Sequence, residues 1–186
     1  MKNTYLYNVN RVLSHIGLAQ DTYNWCLVTK KMTENFEKKW SVILNKNEEN
    51  NFEGNKLRFY RICKDKFIYE EYLNEIKNPT QRAAITRLRT STHKLLIETG
   101  RHNNTPVELR LCQQCDLGQV EDEIHVIFSC TKYNNLRKQL IQKCSSETGQ
   151  FQSLDSIQKI YHIFNSSHTI LKEMGSFIGG VFDARS

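Results

Sequence analysis

Apolar residues recur at helical spacing through most of the chain, with one irregular stretch in the middle. Residues from Tyr5 to Ile16 fit a short helix ending at Gly17, and Asp21 can cap the next segment, which carries Trp25, Leu27 and Val28. Phe36, Trp40, Ile43 and Leu44 predict an amphipathic helix over Thr33 to Lys46, followed by a polar loop. Tyr60, Cys63 and Phe67 fall on one side of a long helix expected from Asn55 to Ile76, with Arg58, Arg61 and Asp65 opposite. Asn78-Pro79-Thr80-Gln81 reads as a helix start, with Asn78 as N-cap and Pro79 in the first turn. Ala84, Ile85, Leu88 and Leu95 would share one face of that helix, which should end near Gly100. Periodicity is lost from Arg101 to Glu121, then resumes in Glu121–Phe128, Tyr133–Lys143, Leu154–Phe164 and Thr169–Phe182.

The fold class this implies is all-α, a helical domain with a small irregular subdomain. Its segments are 1–101, helical and basic in its second half; 102–131, the irregular subdomain; and 132–186, helices packing on both. The expected core is Trp25, Phe36, Trp40, Tyr60, Phe67, Ile85 and Leu88. Composition agrees with a folded chain: 39% hydrophobic, 25% charged, two prolines. No apolar run reaches the roughly 20 residues that span a bilayer, and the start lacks a signal-like apolar stretch, so no membrane partner and an intracellular, including nuclear, location are expected.

Charge changes this picture. The chain carries a formal +6, and the segment Lys56 to Arg101 holds eleven Lys/Arg against five Asp/Glu, which is the whole of that excess. A concentrated positive field favours polyanionic partners such as RNA or DNA.

The irregular stretch contains Cys112-Gln113-Gln114-Cys115, then His125 and Cys130, a C-x2-C-x9-H-x4-C pattern. Zinc takes four such donors at tetrahedral corners, about 2.3 Å from sulfur and 2.0–2.1 Å from nitrogen. Four protein donors leave no open position, which is the mark of a structural zinc site rather than a catalytic one. The alternatives are a redox dithiol, a disulfide, or buried thiols with an unrelated histidine. Cys26, Cys63 and Cys144 lie on apolar helical faces and read as core residues, and His102 is a reserve ligand only.

The run Ala83 to Arg101, with Arg87-Leu88-Arg89, His93, Ile97-Glu98 and Gly100-Arg101, is followed by Pro106, Arg110, Cys112, Cys115, Glu121-Asp122-Glu123, His125, Cys130, Tyr133 and Arg137. In order and spacing this resembles the region downstream of the polymerase domain in non-LTR (LINE-type) retrotransposon reverse transcriptases. Weaker likeness extends from Lys56–Arg61 to Met174–Arg185. The resemblance implies a zinc knuckle ligated by Cys112, Cys115, His125 and Cys130 that helps bind the element's RNA or target DNA. Leu109 departs from the pattern, which often has a charged residue there. No carboxylate pair of a polymerase site is present, and no proline follows Cys130, so the Pro-Asp of a restriction-like endonuclease is missing.

The function expected from the sequence is therefore a zinc-stabilised nucleic-acid-binding tail module, not an enzyme, with no small-molecule substrate. Arg82, Arg89, Lys94 and Arg101 are its candidate phosphate contacts, since Arg82 and Arg89 stand seven apart on one helix face. Phe59 and Tyr60 are candidates for stacking bases, against the commoner role of core aromatics. The alternative is a protein-interaction module with a structural zinc site, whose partner would be the polymerase portion of a retroelement protein.

Overall fold

Asn78 begins the helix on which much of the structure is built. Its extended backbone turns its side-chain oxygen onto the amides of Thr80 (2.9 Å) and Gln81 (3.3 Å), and Pro79 supplies a first-turn φ while lacking an amide to satisfy. The computed structural model describes residues 11–15, 17, 25–45, 57–64 and 66–185. Among these the protein is all-α. The helices are α1 (Trp25–Asn45), α2 (Arg58–Cys63), α3 (Tyr72–Glu75), α4 (Pro79–Arg89), α5 (Leu96–His102), α6 (Asn134–Glu147), α7 (Ser156–Asn165) and α8 (His168–Asp183).

Two compact units divide after Asn50. In the first unit, residues 11–15 are helical and Gly17 follows at φ +75, the left-handed backbone of a helix end. Tyr5–Asn10, Ile16 and Asp21 lie outside the described residues. The helix expected from Thr33 begins earlier, at Trp25, as α1. Val28 and Leu44 are buried, whereas Phe36, assigned to the core, is 55% exposed, Trp40 is half-buried and Cys26 is exposed. An amphipathic pattern places residues on one face, but what covers the face is not encoded in it.

In the second unit α8 is the central element. Ile170, Leu171, Met174, Phe177, Ile178 and Val181 repeat at three- and four-residue spacing and are all buried. Its most extensive packing is against α4, then α6. Gly175 permits the approach of α4, since a Cβ there would stand 3.0 Å from the Gln81 Cβ and 3.3 Å from its carbonyl oxygen. The start of α7 is a capping box, with Asp155 accepting from Gln158 N while the Gln158 side chain accepts from Asp155 N. From α2, Phe59 meets Phe164 of α7 edge to face at 6.0 Å, so it is core and not a surface for bases.

Two predicted helices are broken in the structure. The one expected over Asn55–Ile76 stops at Cys63 and restarts only as α3. Lys64 is buried and turns its ammonium to the Ile68 carbonyl (2.7 Å) and to Glu70, and residues 66–70 are not helical. Phe67 accordingly lies 38% exposed instead of in the core. Asp65, expected opposite with Arg61, lies outside the described residues, and Arg58 is buried rather than surface-facing.

The helix expected to continue to Gly100 ends at Arg89. Ser91 adopts φ +50, left-handed for a residue with a Cβ, while the Thr90 hydroxyl donates to Thr86 O (2.8 Å) and Thr92 N donates to Arg87 O (2.8 Å). Gly100 is not a terminator but an interior residue of α5. A Cβ on it would sit 2.7 Å from Arg110 Cγ, so the glycine makes room for the arginine stem.

Candidate metal centre

The irregular stretch folds back on itself through two backbone hydrogen bonds of 2.8 Å, from Cys112 N to Gln119 O and from Glu121 N to Arg110 O. This narrow hairpin, an isolated antiparallel bridge between Leu111 and Val120, carries Cys112 and Cys115 in its turn. Gly118 supports the turn at φ +61. The chain then enters a helical segment whose end, His125–Ser129, is a π-helical turn. Its wider coil brings His125 and Cys130 to the hairpin, with Cys130 N donating to His125 O at 2.8 Å.

The four donor atoms of Cys112, Cys115, His125 and Cys130 all lie within 4.8 Å of one another. The sulfurs of Cys112 and Cys130 are 3.9 Å apart, and Cys115 Sγ is 3.4 Å from His125 Nε2. A tetrahedral ion with the bond lengths given above would set edges of about 3.8 Å between sulfurs and 3.6 Å from sulfur to nitrogen. The donors therefore fit a metal ion. Among the described residues no disulfide is formed, and 3.9 Å is far beyond the roughly 2.05 Å of an S–S bond. His102, exposed at the end of α5, is not part of the cluster.

Surrounding groups fix the donors. Gln119 Oε1 lies 2.9 Å from His125 Nδ1, which places the ring hydrogen there and leaves Nε2 as the lone-pair atom facing Cys115. Burial lowers the His125 pKa and so favours the neutral, ligating imidazole. Burial also pushes the Cys112 thiol up to about 12 and raises Cys130. At Cys115 burial acts the same way, but the Leu117 amide and the neighbouring thiols outweigh it and the pKa falls.

A lattice of buried charge surrounds the cluster. Glu121 accepts from Nη1 and Nη2 of Arg185 and from Leu96 N (2.9 Å), and one of its oxygens is 3.5 Å from Cys112 Sγ. Asp122 caps His125 N at 2.7 Å. Glu123 receives Arg58 at 2.7 Å, His93 Nε2 at 2.9 Å and the Ser91 hydroxyl at 3.2 Å. Arg58 also pairs with Glu98, which holds Arg101 as well. Arg137 ties the π-turn down by donating to Val126 O (2.9 Å) and Cys130 O (2.8 Å).

Gln119, Arg58 and Arg185 were not expected at the site from the sequence. Arg185 and Glu121 are 64 positions apart, and no local pattern marks such a pair. Gln119, close to the ligands and able to accept, carried the one available signal.

The four candidate phosphate contacts have four different settings. Arg89 is 3% exposed and is not a surface residue: it pairs with Glu70 beneath the rings of Tyr60, Tyr72 and Phe164, each 5.3 to 5.6 Å away. Tyr60 thus faces an arginine within the fold. Arg82 is half-buried and donates to Ile76 O at 2.9 Å, and Arg101 is paired with Glu98. Lys94 alone is exposed, and its side chain makes no ion pair among the described residues.

No family model, no curated protein and no solved structure matches the chain. What fold and site define is an all-α protein with a buried three-cysteine, one-histidine centre. Among the described residues no helix is long and apolar enough to cross a membrane.

Proposed function

We propose that the chain is a zinc-stabilised nucleic-acid-binding tail module of a non-LTR retrotransposon reverse transcriptase, one that carries no polymerase site. The observation that supports it most is the convergence of Cys112, Cys115, His125 and Cys130 at tetrahedral spacing. Three thiols and an imidazole suit zinc, and with every corner supplied by protein the ion is structural. The residues that carry the resemblance also work as one unit: His93, Glu98, Gly100, Arg101, Arg110, Glu121, Asp122, Glu123 and Arg137 either build the lattice around the cluster or make room for it.

Metal analysis of the purified protein is expected to give one zinc per chain. RNA and DNA titrations at 50 and 200 mM salt should show binding that weakens steeply, since displaced counterions dominate phosphate contacts. A metal-free folded protein, or no binding at low salt, overturns the proposal.

A second reading is favoured by the loop after α2, where Ile68 and Tyr69 are 65% and 60% exposed. Exposed apolar residues of this kind suit docking to a protein, with the polymerase portion of the same retroelement as the partner. Ile68→Ser with Tyr69→Ser would abolish that association and leave nucleic-acid binding unchanged.

A further inference from the structure

Beyond the cluster the molecule has a second concave site, of about 470 Å³, lined by Arg87, Thr92, His93, Lys94, Phe182 and Arg185. That volume falls within the roughly 300–1,000 Å³ of ligand-binding clefts. Three of its six lining residues are cationic and none is acidic. We propose that this pocket binds a phosphate group of a nucleic-acid backbone. It deepens the nucleic-acid reading and rests on it for the source of the phosphate.

The cations here differ from those elsewhere in the basic segment. Arg58, Lys64, Arg89 and Arg101 are each paired with a carboxylate, Lys64 and Arg89 sharing Glu70 and Arg58 and Arg101 sharing Glu98. Arg87 and Lys94 are exposed, and their side chains have no ion pair among the described residues. Two uncompensated cations facing one cavity repel each other, and an anion between them removes that cost. Arg185, held against Glu121, also lines the pocket, and its Nε has no acceptor among the described residues.

The backbone gives an independent reason. Ser91 is held at φ +50 by its own hydrogen bond to Glu123, and Thr92 N is tied back to Arg87 O at 2.8 Å. Strain of this kind persists only where surrounding structure enforces it, and it is concentrated at functional sites. Its consequence here is positional, because it delivers Thr92 and Lys94 to the pocket beside Arg87. His93 lends only its ring, since Nε2 is engaged by Glu123 and Nδ1 accepts from Leu95 N at 3.4 Å. Arg185 joins the site to the metal centre through Glu121 and Cys112.

The test uses the full zinc-loaded chain, with inorganic phosphate and a single-stranded oligonucleotide as probes. Arg87→Ala with Lys94→Ala is compared with Lys138→Ala and Lys172→Ala, two exposed lysines outside the pocket. Expected are a ten-fold or greater loss of oligonucleotide affinity in the pocket variant and less than two-fold in the control. The salt slope should fall by about 0.7 per lost contact on a single strand. In the wild-type protein phosphate should shift the amide resonances of Thr92 to Lys94. Phosphate shifts at those amides without oligonucleotide binding would keep the pocket and remove the nucleic-acid reading. Oligonucleotide binding that falls equally in both variants, or in neither, overturns the pocket and leaves that reading standing.

Discussion

The second unit contains two buried regions built by different chemistry. Between α4, α7 and α8, contact is made by Ile85, Leu88, Ile160, Ile163, Ile170, Met174 and Ile178, all fully buried and apolar. Around the cysteine cluster the buried residues include Arg58, His93, Glu98, Arg110, Glu121, Glu123, His125 and Arg137. Apolar packing is non-directional and its energy is graded with area, so one imperfect contact is absorbed by its neighbours. A buried charge has no such tolerance, because each partner must be present for the other to be bearable. The first region should therefore yield gradually to mutation and the second abruptly.

Removal of the proposed zinc should separate the two most sharply. Apparent zinc affinities in small structural sites reach about 10–16 kcal/mol, comparable with the whole stability of a domain. Val126, Ile127, Cys130 and Tyr133 belong both to the centre and to the main core. Chelation, or Cys130→Ser, should thus remove cooperative thermal unfolding of the entire second unit, as followed by near-ultraviolet circular dichroism. A sharp transition at an unchanged temperature would show that the four donors do not hold an ion that matters to the fold.

Next in size is the lattice without the metal. Glu123→Ala leaves Arg58 with Glu98 as its one carboxylate and strips His93 Nε2 and the Ser91 hydroxyl of their acceptor, for which an expected loss of about 3–5 kcal/mol follows from other buried pairs broken on one side. Urea unfolding of the zinc-loaded protein measures it. By contrast Ile163→Val, at a fully buried position in the apolar region, should cost only about 0.5–1.5 kcal/mol. If the two variants lose similar stability, the distinction between the regions fails.

The same contrast governs what could be read from the sequence. Asn78, Pro79 and the period of α8 act within a few residues, and they name their elements correctly. The four donors were legible because ligand spacing is itself a local pattern. The break at Ser91 was not, since it is supported by Glu123, 32 positions away. Arg89 was misplaced for the same reason. Its heptad spacing from Arg82 suggested a common face, but Glu70 and three aromatic rings draw its guanidinium inside. Long-range charge pairing leaves no periodic trace, which is why the apolar half of this unit reads directly and the polar half reads only through its cysteines.

The smallest effect lies where a carboxylate stays in water. At the end of α6, Glu147 accepts from the Ser167 hydroxyl at 2.8 Å and from the Thr169 hydroxyl at 2.9 Å, joining α6 to the start of α8. The Ser167 hydrogen bond, chiefly, holds its pKa below the ordinary glutamate value. A carboxyl whose pKa is depressed by folding adds stability above its unfolded pKa of about 4.3, and loses it as the pH falls through the folded value. Because this group is exposed, solvent screening keeps the contribution under about 1 kcal/mol. Glu147→Gln should therefore lower stability slightly at pH 7 and leave it unchanged at a pH below the depressed value. A difference between the two proteins that persists there would mean that Glu147 acts through shape and not through charge, and the contrast between exposed and buried carboxylates would lose its electrostatic basis.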